Sequence, residues 1–346
     1  MIPILFIMGA GRSGSTLMER LLGTSPATVV CGEQRLVWSE GFTENHLCSC
    51  GRPFLSCPFY ESVRRIAAEL DPALMGMSHM MRWAKYMDST RFAQHADWLR
   101  WIPKMYAPRL RSMEFEVEWR QIHHALVTWY SAIHRAADQS IIIDSTKDPG
   151  YAHLLGTVPE FNVGYIHLVR DSRGVAFSWT RRNIRPEVIN ATTMMDRKPM
   201  WRSALDWDAK YALSSLLRLV RPGRVIELQY EWFAREPETG LAAIRQFAAS
   251  LRMPPLESSD PSASPWRYHS VFGNPIRFER KPPHVKVDDE WRQAMRPRDR
   301  LVVTALTAPF LVGHHAVGSR NRRFVVDRGL RMGAGSPPAG GSESVI

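Results

Sequence analysis

An α/β fold with a central parallel sheet flanked by helices is predicted by three observations. Ile4, Leu5, Phe6, Ile7 and Met8 form a short unbroken apolar run that stops at Gly9 and turns directly into a helical pattern. Unbroken apolar runs are the mark of strands covered on both faces, as parallel strands are. Four similar runs occur later, at residues 28–30, 141–143, 163–169 and 225–228, with helical stretches between them. Strands alternating with helices give a parallel sheet. Between the second and third runs, Glu61 to Ala137 read as helical with breaks near Pro72, Pro103 and Pro108, which places a helical insertion at about residues 59–138.

The first strand leads into Gly9-Ala10-Gly11-Arg12-Ser13-Gly14-Ser15-Thr16, after which Leu17 and Leu21, and Met18 and Leu22, repeat at i, i+4. Glycines let the backbone turn tightly and aim several N–H groups at one point, and the helix adds the positive end of its dipole. The loop is therefore an anion cradle, and three readings fit it. As a Walker A loop it has Gly9 and Gly14 at the right separation, but Ser15 stands where the lysine belongs. As a dinucleotide fingerprint it matches G-x-G-x-x-G through Gly9, Gly11 and Gly14, with Glu33 as ribose ligand, and predicts an NAD-dependent oxidoreductase. In the third reading Arg12, Ser13, Ser15 and Thr16 surround the anion with a fixed cation and hydroxyl donors, more than a backbone-held pyrophosphate requires.

On those residues the loop resembles the 5′-phosphosulfate loop of sulfotransferases that use 3′-phosphoadenosine 5′-phosphosulfate (PAPS), in the Arg-Ser-Gly form of bacterial, tyrosylprotein and Golgi members. The resemblance implies a P-loop fold similar to that of nucleotide kinases. It also implies that Gly11, Arg12, Ser13, Gly14, Ser15 and Thr16 bind the donor and that Arg12 assists the reaction.

The second run ends in Cys31-Gly32-Glu33-Gln34-Arg35. A side chain at the end of a parallel strand faces the crevice where ligands bind, which sets Glu33 toward the anion loop. Its alternative is a surface carboxylate paired with Arg35. Cys-Gly-Glu in this place is similar to the segment that carries the general-base glutamate of tyrosylprotein sulfotransferases. Next come His46, Cys48, Cys50 and Cys57. They are zinc-ligand types, but the C-x-C spacing lacks a second pair, so reduced thiols packed in a loop are the expectation. A Cys-x-Cys-Gly segment followed by Cys-Pro-Phe also resembles a group of bacterial sulfotransferases.

In the insertion, Trp119, Ile122, Leu126, Tyr130 and Ile133 form a stripe at helical spacing that predicts burial, and the insertion is placed to cover the acceptor. The third strand leads into Asp144-Ser145-Thr146-Lys147-Asp148-Pro149. Lys147 falls on the crevice side of the sheet. It matches the reaction-centre lysine of the Lys-Asp-Pro or Lys-Ser-Pro segment in tyrosylprotein and heparan-type sulfotransferases.

After the fourth strand, Arg170 and Ser178 can converge on one phosphate, the first as a forked cation and the second as a hydroxyl. Arg170 paired structurally with Asp171 is the alternative. Their order and spacing resemble the 3′-phosphate site of the same family. Residues 183–199 read as a loop over cofactor or acceptor. Leu241, Ile244, Phe247, Ala248 and Leu251 give a packing helix. Arg277, within Gly273-Asn274-Pro275-Ile276-Arg277-Phe278, is a further cofactor-binding candidate by resemblance to the bacterial group. Residues 333–346, rich in Gly, Ser and Pro, read as a disordered tail behind a sulfotransferase domain at 1–332.

Lysine and arginine number 45 against 34 acids, a formal charge of +11. Such a balance suits an anionic cofactor, an acidic acceptor or nucleic acid. The chain shows neither an RNA-binding consensus nor a helix-turn-helix pattern, so no nucleic-acid partner is expected. No apolar stretch approaches the roughly twenty residues of a membrane span, and the N-terminus lacks a basic leader, so a cytoplasmic location is expected. The resemblance implies sulfuryl transfer from PAPS to a small-molecule, lipid or carbohydrate acceptor through a hydroxyl or amine. A sulfuryl group carries less negative charge than a phosphoryl group, so fixed cations can serve where kinases use magnesium, and no metal is expected to be required.

Overall fold

The structure is a computed structural model and describes residues 1–76, 93–181, 197–257, 267–279, 281 and 285–332. The loop expected at 183–199 lies outside these residues except for 197–199, and so does the tail at 333–346. Five strands, β1 (Ile2–Met8), β2 (Thr28–Gly32), β3 (Ile141–Lys147), β4 (Phe161–Val169) and β5 (Val225–Gln229), form one sheet in the order β2-β3-β1-β4-β5. Every pairing is parallel, with Ile4 opposite Ile142 on one side and Val163 on the other. All five predicted strands are present, and the fold class is as the sequence predicts.

Unbroken apolar runs arise because helices cover both faces. Along β1, Ile2, Ile4, Phe6 and Met8 join one core, with the helix Met113–Ala136, while Leu5 and Ile7 join the other, with the helices Ser15–Leu22 and Pro237–Ser250. Trp119, Ile122, Leu126, Tyr130 and Ile133 are all buried on the helix Met113–Ala136, which Ser112 caps by accepting from the Phe115 N–H at 3.2 Å. Pro103, expected to break a helix, instead lies inside the helix Ala93–Tyr106.

Both sheet edges are covered, which removes open pairing sites. At β2, Val30 donates to the Arg267 carbonyl at 2.9 Å and accepts from the His269 N–H at 2.7 Å. At β5, the side-chain amide of Asn321 accepts from Gln229 N at 2.7 Å and donates to the Glu227 carbonyl at 2.9 Å. Asn321 belongs to the long helix Pro297–Met332. Val303, Thr307, Leu311, His314 and Val317 of this helix are buried, while Leu301, Val302, Leu306 and Val312 are exposed. Against the expectation of no span-length stretch, its segment Pro297–Val317 has the length and mean hydropathy, 1.2, to cross a membrane. Part of that apolar content is the face packed against the helix Met200–Val220 and β5.

Candidate functional site

Strands β1 and β4 are neighbours, but their connections leave toward opposite edges, β1 to β2 and β4 to β5. The carboxyl ends of two such strands bound the crevice in which open α/β sheets bind ligands. The loops just past them carry the two predicted anion sites. After β1, the Gly9 N–H donates to the Lys147 carbonyl at 3.1 Å. A Cβ at Gly9 would lie 2.5 Å from the Leu168 carbonyl oxygen, so only glycine allows the loop to lie this close to β4. Gly14 caps the helix Ser15–Leu22 at φ +93°, and a Cβ there would meet the Tyr230 ring at 2.4 Å.

Between these glycines the backbone is held in an unusual shape. Arg12 has φ +69°, left-handed for a residue with a side chain, which costs on the order of 1 kcal/mol and is held in place by the packing around it. Gly11 packs against Trp179, and the Arg12 guanidinium lies 5.0 Å from the centre of the same ring. Ser13, Ser15 and Thr16 are buried, and Ser13 Oγ has no hydrogen-bond partner among the described residues. Burial lowers the pKa of Arg12, Glu33 opposes that shift and Arg170 adds to it. Arg12 is thus a cation between a carboxylate and a second cation, and a guanidinium stays charged there.

The second cation is Arg170, at the end of β4. It donates to the Arg12 carbonyl at 2.9 Å and to the Asp288 carbonyl at 2.9 Å, and it lies 4.8 Å over the Tyr230 ring. Its pairing is with Asp288, Nη2 to Oδ2 at 3.0 Å, and Asp171 pairs instead with Arg173 at 2.6 Å. Burial works against the Asp288 carboxylate, yet Arg170 and Arg181 hold its pKa below the ordinary value. Arg170 Nε is buried with no partner among the described residues. Ser178 ends the short helix Ser172–Ser178, partly exposed, and no hydrogen bond joins it to Arg170.

Across the crevice, β2 and β3 end side by side, and their terminal side chains meet. Lys147 Nζ donates to Glu33 Oε1 at 2.5 Å and to the Ser145 carbonyl at 3.3 Å. Arg35, the other partner open to Glu33, faces Asp148 at 3.8 Å. Lys147 also has left-handed backbone, φ +67°. Glu33 and Lys147 are mostly buried, so their Coulomb attraction is less screened than in a surface pair. An acid and a base facing each other beside an anion cradle can exchange a proton with a ligand and stabilise negative charge on it.

Two further carboxylates, Glu19 and Asp144, are buried. Glu19 accepts from the Tyr268 hydroxyl at 2.6 Å; burial raises its pKa, and Lys147 opposes the rise. Asp144 accepts from the Tyr130 hydroxyl and from Thr146 N and Oγ1 at 2.9 and 2.6 Å. Burial pushes the Asp144 carboxyl up to about 6. Its folded pKa lies above its unfolded value, so the stability associated with the neutral acid is present below 3.8 and is lost as pH rises through about 6. Asp144→Asn is therefore expected to gain on the wild type by on the order of 1–3 kcal/mol over that window and to hold a constant difference above it. Urea unfolding of both proteins across pH checks this, and a difference independent of pH would refute it.

Trp179, Tyr230 and Asp288 are not singled out by the sequence, since their contacts with Arg12 and Arg170 join segments far apart in the chain. Arg277 is 1% exposed, and its guanidinium donates to the backbone carbonyls of Ser270 and Leu47. Cys48, Cys50 and Cys57 come together with His269, whereas His46 pairs with Glu40 at 2.6 Å.

A family model described as the sulfotransferase family matches residues 3–250. No curated protein matches. Among solved structures, the sulfotransferase domain from the Synechococcus PCC 7002 olefin synthase is similar at a TM-score of 0.50 and 20% identity, covering 89% of this chain and 94% of that one. The sulfotransferase domain from the curacin biosynthetic pathway has a TM-score of 0.46 and 16% identity, covering 89% and 98% of the two chains. Sulfotransferase STF9 from Mycobacterium avium has a TM-score of 0.40 and 13% identity, covering 73% and 65%. The first of these shows the fold.

Proposed function

This chain belongs to the sulfotransferase family, and on that premise we propose that it transfers a sulfuryl group from PAPS to a hydroxyl or amine acceptor. The observation that carries the proposal is the junction of two cationic loops: Arg170 Nη1 bonds the Arg12 carbonyl at 2.9 Å, joining the loop after β1 to that after β4. One loop suits a 5′-phosphosulfate, the other a 3′-phosphate. Buried polar atoms without partners among the described residues in both loops, Ser13 Oγ and Arg170 Nε, also suit an oxygen-rich ligand. The dinucleotide alternative lacks such support: β3 lies between β1 and β2 here, while the dinucleotide-binding order, 3-2-1-4-5-6, puts β2 beside β1.

The donor supplies a sulfuryl group on a good leaving group, adenosine 3′,5′-bisphosphate. The protein's part is positioning and charge, as in loose phosphoryl transfer. Glu33 takes the proton of the acceptor as its oxygen or nitrogen bonds to sulfur. Lys147 stabilises the sulfuryl oxygens. Arg12, Ser13, Ser15, Thr16 and the N–H groups at the helix start hold the phosphate whose oxygen gains charge as the sulfur–oxygen bond breaks. Arg170 and Ser178 hold the 3′-phosphate, in competition with Asp288 for the guanidinium. The acceptor enters beside the insertion helix Met113–Ala136, whose Trp129 Nε1 donates to Gln34 Oε1 at 2.9 Å, next to Glu33.

Calorimetry on Arg170→Ala tests the assignment of the two loops. The variant is expected to lose about 10- to 100-fold in affinity for adenosine 3′,5′-bisphosphate, the worth of one charged hydrogen-bonded contact, and little for adenosine 5′-monophosphate. Equal losses for both ligands would mean that Arg170 only supports the Arg12 loop.

A further inference from the structure

We propose that Cys48, Cys50, Cys57 and His269 bind one zinc ion, a structural site that fastens the segment after residue 266 to the loop after β2. The four ligand atoms all lie within 4.8 Å of one another, although His269 is some two hundred residues from the cysteines in the chain. Cys50 Sγ is 3.6 Å and Cys48 Sγ 3.8 Å from Cys57 Sγ; His269 Nδ1 is 3.5 Å from Cys57 Sγ and 3.7 Å from Cys48 Sγ. A zinc tetrahedron with bonds of about 2.3 Å to sulfur and about 2.05 Å to nitrogen has edges of about 3.8 Å between sulfurs and about 3.6 Å from sulfur to nitrogen. Four of the six edges are matched by these separations, and the other two, Cys48 to Cys50 and Cys50 to His269, lie within 4.8 Å.

Other accounts of the cluster explain less of it. A disulfide would use two sulfurs at about 2.05 Å and leave a thiol and an imidazole over. Plain thiols can chain weak S–H bonds from Cys50 to Cys57, from Cys57 to Cys48 and from Cys48 to the imidazole, but such a chain gives no reason for all four ligand atoms to close within 4.8 Å of one another. Three thiolates and one neutral imidazole form a standard closed donor set for structural zinc.

The imidazole is also held in place. The Phe59 ring stacks on it at 4.4 Å and 13°, the His269 N–H donates to Val30 and the Tyr60 hydroxyl donates to the His269 carbonyl at 2.7 Å. On the cysteine side, Ser49 lies between the first two ligands; its N–H donates to the Ser270 carbonyl and its hydroxyl to the Tyr268 carbonyl, both at 2.8 Å. Two strips of chain thus grip each other around the four ligands.

The anchored segment borders the crevice. Ser270 presses on Gly32, where a Cβ would lie 2.0 Å from Ser270 Oγ, and Gly273 faces Glu33, its Cβ position 3.8 Å from Glu33 Oε1. Zinc at this point fixes the wall behind Glu33 and takes no part in the transfer itself.

The test is the metal content of the full chain, purified reduced, without chelator and without a histidine tag. One zinc per chain by elemental analysis is expected. After exchange for cobalt, thiolate-to-cobalt charge transfer and the intense visible bands of a tetrahedral ion are expected. His269→Cys, which makes a four-cysteine site, is expected to keep the zinc; His269→Ala and Cys57→Ser are expected to lose it. If those variants do not fold, the metal content and cobalt spectrum of the unaltered chain decide alone. The proposal is overturned by a chain that carries no zinc and retains none when zinc is added to the reduced protein. Iron in zinc's place, or a disulfide among these cysteines in freshly isolated protein, overturns it equally. None of these readings depends on sulfuryl transfer.

Discussion

Replacing Glu33 by glutamine is expected to lower kcat by about two to four orders of magnitude, the usual worth of a general base, while leaving affinity for adenosine 3′,5′-bisphosphate unchanged. Glutamine keeps the size and the acceptor oxygen that Lys147 bonds, but it cannot take up a proton. The carboxylate sits where β2 ends, across from the loop that would hold the donor, and no part of the bisphosphate needs it. The check is transfer from radiolabelled donor to any acceptor that the unaltered enzyme sulfates, with ligand affinity measured separately. Turnover that survives the substitution places the base elsewhere. Affinity that falls along with turnover makes Glu33 a support for the loop.

Gly14→Ala is the second large effect, and it acts on both anion sites at once. The new Cβ would lie 2.4 and 2.5 Å from two carbons of the Tyr230 ring, at a backbone φ of +93° that alanine adopts only under strain. Left-handed backbone alone costs about 1–3 kcal/mol. The ring has to move, and Arg170 rests 4.8 Å over that ring while bonding the Arg12 carbonyl. A disturbance at Gly14 therefore passes through Tyr230 to Arg170 and on to the loop after β1. Loss of stability of at least about 2 kcal/mol is expected, with loss of affinity for both the bisphosphate and the monophosphate. Denaturant unfolding and calorimetry on one preparation check it, and a variant with native affinity would show the cradle to be tolerant at this position.

The residues that flank strands were legible in the sequence, since an apolar run fixes where a strand stops and a side chain just past that end faces the crevice. Strand ends point to Glu33, Lys147 and Arg170, and the glycine-rich loop after the first strand to Arg12, one at a time. Neither signal reaches their partners, because partners depend on strand order. Glu33 meets Lys147 only because β3 is the neighbour of β2; near neighbours in the chain suggested Arg35 instead. The same limit separated Arg170 from Asp288 and the cysteines from His269. His46, close in sequence to Cys48, was the natural fourth ligand to consider, and it turns toward Glu40.

The helix Pro297–Met332 is not legible in the sequence for a different reason. Its buried side mixes Val303, Leu311 and Val317 with Thr307, His314 and Asn321, polar groups that bond Ser172, Gln229 and the edge of β5. A buried face that carries hydrogen bonds does not read as an apolar stripe. Pro103 shows the converse, a breaker by rule that sits exposed inside a helix whose Trp98, Ile102 and Met105 are buried.

The most direct measurement is calorimetric titration of the unaltered chain, without added metal, with adenosine 3′,5′-bisphosphate, adenosine 5′-monophosphate and NAD. A PAPS-dependent enzyme with two cationic loops is expected to bind the bisphosphate at least about tenfold more tightly than the monophosphate, one charged contact being worth about 1.5–3 kcal/mol, and to bind NAD weakly or not at all. Equal affinity for bisphosphate and monophosphate, or preferential binding of NAD, would contradict the account.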